Sequence, residues 1–353
     1  MTIARYGCVA IAALSLLCWE DEAPRAAASL DALAADGLYT WRVAATEDSP
    51  SWCCSCWSRN SVVSSACDLD SRHANYSAAE EFPAQGEMQI YALIEAGKPQ
   101  HIRALSPQCQ VTSRREVVGL GVVEVEESLA WLKRHVAAPA TVSTDALAAI
   151  AIHEGPDALH FLIDVANSGP GKELRKEAIF WMSQARIAES ASELERLMFR
   201  DKSAEVRKHS AFSLSQSNAA GRSDALIRQG REDHNPDVRS QAWFWLAQTG
   251  AGQSEAAIRQ AMVDDPDGNV REEAVFALSQ LPGERGVDAL FTVLGDQQMH
   301  REIREQALFW LAQSDSDRAF EYLDRLLAGG TVASHPGYSA RHQPPNVRAG
   351  SIR

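Results

Sequence analysis

The chain has 353 residues, of which 45% are hydrophobic and 23% are charged, and its formal net charge is −13 at pH 7. This composition supports a folded protein with one large core or two smaller ones, and it excludes wholesale disorder and collagen-like structure. The acidic balance and the lack of a Lys/Arg cluster argue against nucleic acid as a partner, because phosphate binding depends on clustered cations.

The N-terminal segment has the order of features that is typical of a secretory signal peptide. Arg5 precedes an apolar run over residues 6–19, and small residues follow at Ala26 and Ala28. This run is shorter than the roughly twenty residues that span a bilayer. We therefore predict that residues 1–28 are a removed signal peptide, that the mature chain is secreted or periplasmic, and that it has no stable membrane insertion.

Residues 36–136 lack any repeat and carry the remaining cysteines. Residues 88–105 predict a β-hairpin that turns at Glu95-Ala96-Gly97-Lys98, because two β-prone runs flank a turn sequence. Residues 117–125 predict another strand, and residues 126–136 predict a helix. We expect a small α+β domain that caps the N-terminal end of the region that follows.

The cysteines of this domain predict a disulfide framework whose pairing the sequence leaves open: Cys53, Cys54, Cys56, Cys67 and Cys109. An oxidising compartment would give two disulfides and one spare thiol. Cys53-Cys54-Ser55-Cys56 contains a Cys-x-x-Cys that superficially resembles a thioredoxin motif, but its flanks look neither strand-like nor helical. A redox protein, or a zinc site from Cys53, Cys56, Cys67 and Cys109, is the alternative interpretation.

The second half is an internal repeat, which is the strongest signal in the chain. Its five copies share an Arg that recurs every 32 or 33 residues, at Arg175, Arg207, Arg239, Arg271 and Arg304. A degenerate sixth copy begins at Thr141. Apolar residues recur at three- and four-residue steps within each copy and predict a first helix, helix A, which in one copy begins after the cap Asn235 with Pro236. A second helix, helix B, follows a short break.

Helix pairs of this length bury their faces only by stacking, so residues 141–328 predict an α-solenoid of about six units. The pattern of Asp265, Val270, Arg271, Ala274 and Leu278 resembles the short HEAT-like repeat named after phycobilisome lyases. The resemblance implies helix pairs in a superhelix, with helix B on the concave surface as in related solenoids. It implies little about function.

Two recurrent polar positions are interpreted as scaffold. Asp201, Asp233 and Asp265 each precede a repeated Arg by six residues and predict a ladder of Asp–Arg pairs. A Gln ends each helix A, and we expect these amides to bond the free carbonyls there or one another: Gln184, Gln216, Gln248, Gln280 and Gln313.

Helix B supplies our first candidate for a binding surface. Position-matched Arg196, Arg228, Gln260 and Arg325 form a mostly basic column that suits an acidic protein segment. The alternative partner surface is an aromatic column on helix A, which we interpret first as packing between repeats: Phe180, Trp181, Phe244, Trp245, Phe309 and Trp310, with Phe212 and Phe276 in register.

The sequence contains no hydrolase, metalloprotease or phosphate-loop motif, and we predict neither a cofactor nor a metal. We expect a non-catalytic protein-binding scaffold of the periplasm or cell envelope that uses the helix-B surface. The segment 329–353, with three prolines, three arginines and no acid, is expected to be mobile.

Overall fold

The structure is a computed structural model that describes residues 30, 33, 35–46, 52–58, 61–64, 66–71, 76–78, 86–137 and 140–328. The side chains of 54–58, 61–64, 76–78 and 140 are outside this description. The predicted signal peptide and the 329–353 tail lie outside the described residues, so both remain predictions.

The N-terminal region is built from short strands and one helix. The strands are β1 (Gly37–Ala44), β2 (Trp52–Ser58), β3 (Ser61–Ser64), β4 (Cys67–Asp68), β5 (Tyr76–Ala78), β6 (Glu87–Glu95), β7 (Lys98–Leu105), β8 (Val111–Thr112) and β9 (Val117–Val122), and they are followed by α1 (Val125–His135). They form a four-stranded sheet in the order β7-β6-β1-β9, a three-stranded sheet in the order β3-β2-β5, and the pair β4-β8. The expected α+β architecture is confirmed.

The predicted hairpin is confirmed as β6 and β7. Glu95 pairs with Lys98, and the two turn residues Ala96 and Gly97 both have positive φ, at 51° and 68°. Two left-handed residues in a two-residue turn match the right-handed twist of the strands. The predicted strand at 117–125 is shorter than expected, because the chain leaves the sheet after Val122 and α1 begins at Val125.

A buried polar contact joins the sheet to the helices. The Trp41 indole donates a hydrogen bond to Ser128 Oγ at 2.9 Å, and His153 Nε2 lies 2.8 Å from the same hydroxyl. The three residues belong to β1, α1 and the end of α2, and all are fully buried or nearly so. One hydrophobic core therefore runs from the sheet into the first helices, as a capping domain requires.

The second half consists of antiparallel helix pairs. Helix A of successive units is α2 (Ala140–Ile152), α4 (Lys172–Ala185), α6 (Ala204–Ser215), α8 (Pro236–Gln248), α10 (Gly268–Ser279) and α12 (Arg301–Ala312). Helix B is α3 (Pro156–Ser168), α5 (Ile187–Arg200), α7 (Arg222–Glu232), α9 (Ser254–Asp264), α11 (Arg285–Gly295) and α13 (Asp317–Leu327). The predicted α-solenoid is confirmed, including the cap of α8, where Asn235 accepts from the Val238 amide.

The two layers of helices differ in how closely their neighbouring members approach. Consecutive A helices lie in close contact along the whole array, whereas consecutive B helices touch only at a few residues. The matched buried position of each helix A holds a small residue: Ala146, Ala178, Ser210, Ala242, Ala274 and Ala307. Contact between neighbouring repeats is therefore made mainly through helix A, and the expectation that helix B lines the concave side stays a prediction.

The predicted Asp–Arg ladder is present. Arg207 pairs with Asp233 at 2.8 Å and Arg239 pairs with Asp265 at 2.8 Å, while Arg175 pairs with Asp201. Each aspartate follows the end of a helix B, and its partner arginine lies on the helix A before it. The ladder therefore fastens each loop between repeats to a neighbouring helix with charge-assisted hydrogen bonds.

Candidate functional site

The cysteine segment is a strand with a cross-linked first cysteine. Cys53 forms a disulfide with Cys109, and Cys67 is also disulfide-bonded. The side chains of Cys54 and Cys56 are outside the described residues. The prediction that the flanks of this segment are neither strand nor helix is wrong on the C-terminal side, because β2 runs from Trp52 to Ser58 and pairs with two neighbouring strands. The preceding residues 47–51 lie outside the described residues.

This geometry weakens the alternative of a redox or zinc centre. A Cys-x-x-Cys redox pair needs its first thiol at a helix N-terminus, and here Cys53 lies in a strand and is bonded to Cys109 instead of Cys56. A zinc site would need Cys53, Cys67 and Cys109 as thiolates, whereas all three are in disulfides. Within the described residues no group of three or more His, Cys, Asp or Glu side chains is arranged for a metal ion.

The helix-B column is exposed, but its cations already have partners. Arg196 donates to Glu193 at 2.6 Å and also contacts Asn167, and Arg228 is paired with Glu195. The Arg228 guanidinium additionally lies 3.9 Å above the Phe199 ring.

The other two members of the column are also engaged within their own helices. The Gln260 amide donates to Asp264, and Arg325 Nε donates to the Glu321 carbonyl at 3.2 Å. A carboxylate of an acidic partner would have to replace Glu193 or Glu195 as the ion-pair partner of the column's first two arginines. At a solvent-exposed site such a replacement gains little binding free energy. Binding through this column stays a prediction.

A continuous line of contacting rings begins at Trp52 on β2 and continues along the A helices. We call it the aromatic file, and its rings follow in this order: Trp52, Trp181, Phe180, Phe212, Trp245, Phe244, Phe276, Trp310 and Phe309. Neighbouring ring centroids along this order are 4.5 to 6.5 Å apart. The Phe180–Phe212 and Phe244–Phe276 pairs are stacked, with interplanar angles of 7° and 13°. The file passes from repeat to repeat across consecutive A helices.

The rings of the file are not the core of the stack. Ala178, Ile179 and Met182 are completely buried on α4, whereas Phe180 and Trp181 between them are only partly buried. At the C-terminal end, Phe309 is 52% exposed. Each ring therefore packs on its neighbour, as the packing interpretation expects, and also keeps an exposed part, so the use of this column as a partner surface stays a prediction.

The polar residues beside the file give it an uneven charge. One turn before Phe180 and Phe212, Lys176 and Lys208 are paired with Glu173 and Glu205 at 2.7 Å. A hydrogen bond from each lysine lowers the pKa of its glutamate. The surface beside α4 and α6 is therefore close to neutral.

His209 does not add a positive charge to this region. Burial, together with the nearby Lys176, lowers the pKa of His209 to about 4. Beside α8 and α10, in contrast, Asp237, Glu272 and Glu273 form no ion pair with any residue that the structure describes. The face beside α8 and α10 therefore carries carboxylates that no described cation neutralises.

The Gln column contributes hydroxyl contacts instead of the predicted carbonyl caps. Gln184, Gln216 and Gln280 each donate to the hydroxyl of the preceding serine, at 3.1 to 3.3 Å. Those serines in turn donate to the carbonyl of the file phenylalanine three residues earlier, at 2.7 Å. The expected capping role is wrong at these three positions, since the serines take the carbonyls first.

Sequence reasoning missed Trp52 as the first ring of the file. Its ring centroid lies 5.6 Å from that of Trp181. Trp52 belongs to the N-terminal region and has no counterpart in the repeat, so periodicity could not connect the two residues. The paired charges of the helix-B column were also missed, although Glu193 lies three residues before Arg196 and such a spacing brings side chains together on a helix.

The stacked helix pairs define this part of the chain as an α-solenoid. A family model described as HEAT repeats matches it in three overlapping stretches, residues 159–247, 223–312 and 255–333. The second half is therefore a HEAT-like repeat array, and HEAT repeats commonly serve as protein-interaction scaffolds. No curated protein matches the chain. Among the described helices none is both long and apolar enough to cross a membrane.

Proposed function

We propose that the protein is a non-catalytic scaffold of the cell envelope that holds a protein partner on the helix-A face of its solenoid. The observation that carries this proposal is the aromatic file, whose rings stay partly exposed from Trp181 to Phe309. Contiguous apolar surface of this kind marks interaction sites, and aromatic rings supply large contact area at low entropic cost.

The charges beside the file indicate the chemistry of the partner. A segment with apolar or aromatic side chains would pack on the rings, and Lys or Arg residues opposite α8 and α10 would meet Asp237, Glu272 and Glu273. Such groups are complementary in sign and steer association. The glutamines beside the rings supply donors and acceptors for the partner backbone.

The helix-B column is the second candidate surface, and it favours an acidic segment. Its support is the regular spacing of Arg196, Arg228 and Arg325 on exposed positions. We place it second because Glu193 and Glu195 already neutralise two of the three cations. The two surfaces therefore predict partners of opposite charge.

The envelope location rests on two features of the chain. The first 28 residues have the composition of a signal peptide, and the N-terminal region contains disulfides, which persist in oxidising compartments.

Selection from a displayed peptide library tests the proposal without knowledge of the natural partner. The folded chain is the bait, and we expect enrichment of peptides that combine aromatic residues with Lys or Arg. These peptides should lose binding to the Phe244→Ala/Phe276→Ala variant and keep it with Arg196→Ala/Arg228→Ala/Arg325→Ala. Enrichment of acidic peptides with the opposite response would assign recognition to helix B and contradict the proposal.

A further inference from the structure

A cavity of about 210 Å³ lies where the N-terminal sheets meet the solenoid. Strands β2 and β7 form one side of the cavity, and helices α2 and α4 form the other. It lies at the N-terminal end of the aromatic file, but the proposed partner surface does not use its interior.

The walls of the cavity are mostly apolar. Trp52 and Trp181 contribute indole rings with an interplanar angle of 67°, Ile102 and Ala148 contribute aliphatic surface, and Thr144 contributes a hydroxyl. A partly enclosed pocket with aromatic and aliphatic walls and few polar groups has the usual composition of a small-molecule site.

The one charged lining residue among those described is already neutralised. Asp145 Oδ2 accepts hydrogen bonds from the Ile102 amide and from Arg103 Nη1, each at 2.9 Å. Only 3% of the Arg103 side chain and 13% of the Asp145 side chain are exposed. A charged ligand would lose its hydration without meeting an unpaired opposite charge, so the cavity disfavours ions.

The indole nitrogens of Trp52 and Trp181 are buried and have no hydrogen-bond partner among the residues that the structure describes. An unpaired buried donor costs free energy, and a ligand oxygen that reaches either nitrogen after a small ring rotation would supply the missing acceptor. The two lining tryptophans therefore offer ring surface and, after such a rotation, a donor.

We propose that this cavity is a binding site for one small, neutral ring compound that carries a hydrogen-bond acceptor. The site shares Trp52 and Trp181 with the aromatic file, but the rings on α6, α8, α10 and α12 do not line it, so its ligand binding can be tested separately from partner binding at Phe244 and Phe276.

Acetophenone is a suitable probe, since it joins a ring to a carbonyl acceptor and has no charge. A ligand-observed NMR titration of the full chain should show saturable binding to one site, with a dissociation constant on the order of 1 mM for a ligand of this size. Benzoate and benzylammonium, which have similar rings and opposite charges, should bind at least about tenfold more weakly.

Ala148→Phe tests the location, because the new ring would fill the cavity. Ala188→Phe is the matched control, since Ala188 is exposed on α5 and does not line the cavity. We expect the first variant to weaken acetophenone binding at least about tenfold and the second to leave it unchanged. Circular dichroism melting of both variants checks folding, and Ala148→Leu replaces Ala148→Phe if the larger residue unfolds the chain.

The inference would be overturned by either of two kinds of result, on the unmodified chain or on the comparisons with it. One is the absence of saturable acetophenone binding to the unmodified chain up to the solubility limit. The other is unchanged binding by a folded Ala148→Phe or Ala148→Leu variant, or binding of either ion as tight as that of acetophenone.

Discussion

The Arg239 guanidinium donates two hydrogen bonds to the Asp265 carboxylate, both at 2.8 Å, and a third to the Asp233 carbonyl at 3.0 Å. Arg239 therefore contacts the loop before its own helix, α8, and also the loop before the next helix A, α10. Fewer than a tenth of either side chain is exposed. The pair is a buried connection between consecutive repeats.

Asp265→Ala should destabilise the solenoid by about 3 to 5 kcal/mol, because removing one partner leaves the other charge buried without compensation. Denaturant unfolding followed by circular dichroism measures this change. The control is Asp264→Ala, since Asp264 is exposed on the preceding helix and bonds only Gln260 among the described residues. If Asp265→Ala and Asp264→Ala lose the same unfolding free energy, a specific stabilising role of the Asp–Arg ladder is contradicted.

Two neighbouring tryptophans on α8 should respond differently to truncation. Trp243 is 1% exposed, and an added Cβ on Gly230 would lie 2.5 Å from its ring, so helix α7 packs directly against it. Trp243→Ala should cost about 3 to 5 kcal/mol, as in other cores, whereas Trp245→Ala in the file should cost about 1 to 2 kcal/mol. Urea unfolding measures the loss of unfolding free energy in both variants. A larger loss for Trp245→Ala than for Trp243→Ala would mean that the aromatic file is part of the core.

The predictions of helix pairs and of the Asp–Arg ladder, which rest on residues recurring from repeat to repeat, agree with the structure. The Asp–Arg ladder could be predicted, because a fixed spacing places the same two side chains together in every unit. The closer approach of the A helices could not be predicted, since it depends on how the two layers of helices pack and not on which residues recur. Strand β1 was also missed, because its pairing with β6 and β9 joins segments that are distant in the chain.

Stability should fall as the pH is lowered from about 7 toward 4. Burial lowers the pKa of His153 to about 4, so the folded state holds this residue neutral while the unfolded state protonates it near pH 6.5. The stabilisation that comes from the neutral, buried His153 is fully present above pH 6.5. It is lost as the pH falls toward the pKa of the folded state, and this loss is on the order of 3 kcal/mol.

The test is the slope of unfolding free energy against pH. The His153→Gln variant should be less stable at pH 7 but should show a shallower slope between pH 6.5 and 4 than the unmodified chain. His160→Gln, at an exposed position on α3, should leave the slope unchanged. An equal slope in His153→Gln would contradict the assignment.

Export and oxidation can be read from the mass of the native protein. We expect a mature chain that lacks roughly the first 20 to 28 residues and in which Cys53, Cys67 and Cys109 resist alkylation until a reductant is added. N-terminal sequencing that returns Met1, or alkylation of these cysteines without reductant, would contradict the predicted secretion.

The most direct test of the scaffold proposal compares two multiple variants for one selected peptide ligand. Phe244→Ala/Phe276→Ala removes two stacked rings of the aromatic file, and Arg196→Ala/Arg228→Ala/Arg325→Ala removes the cations of the helix-B column. Calorimetry should show at least about a tenfold loss of affinity for the first variant and little change for the second, with both variants still folded. Unchanged affinity of the first variant and a similar loss in the second would contradict recognition through the helix-A face.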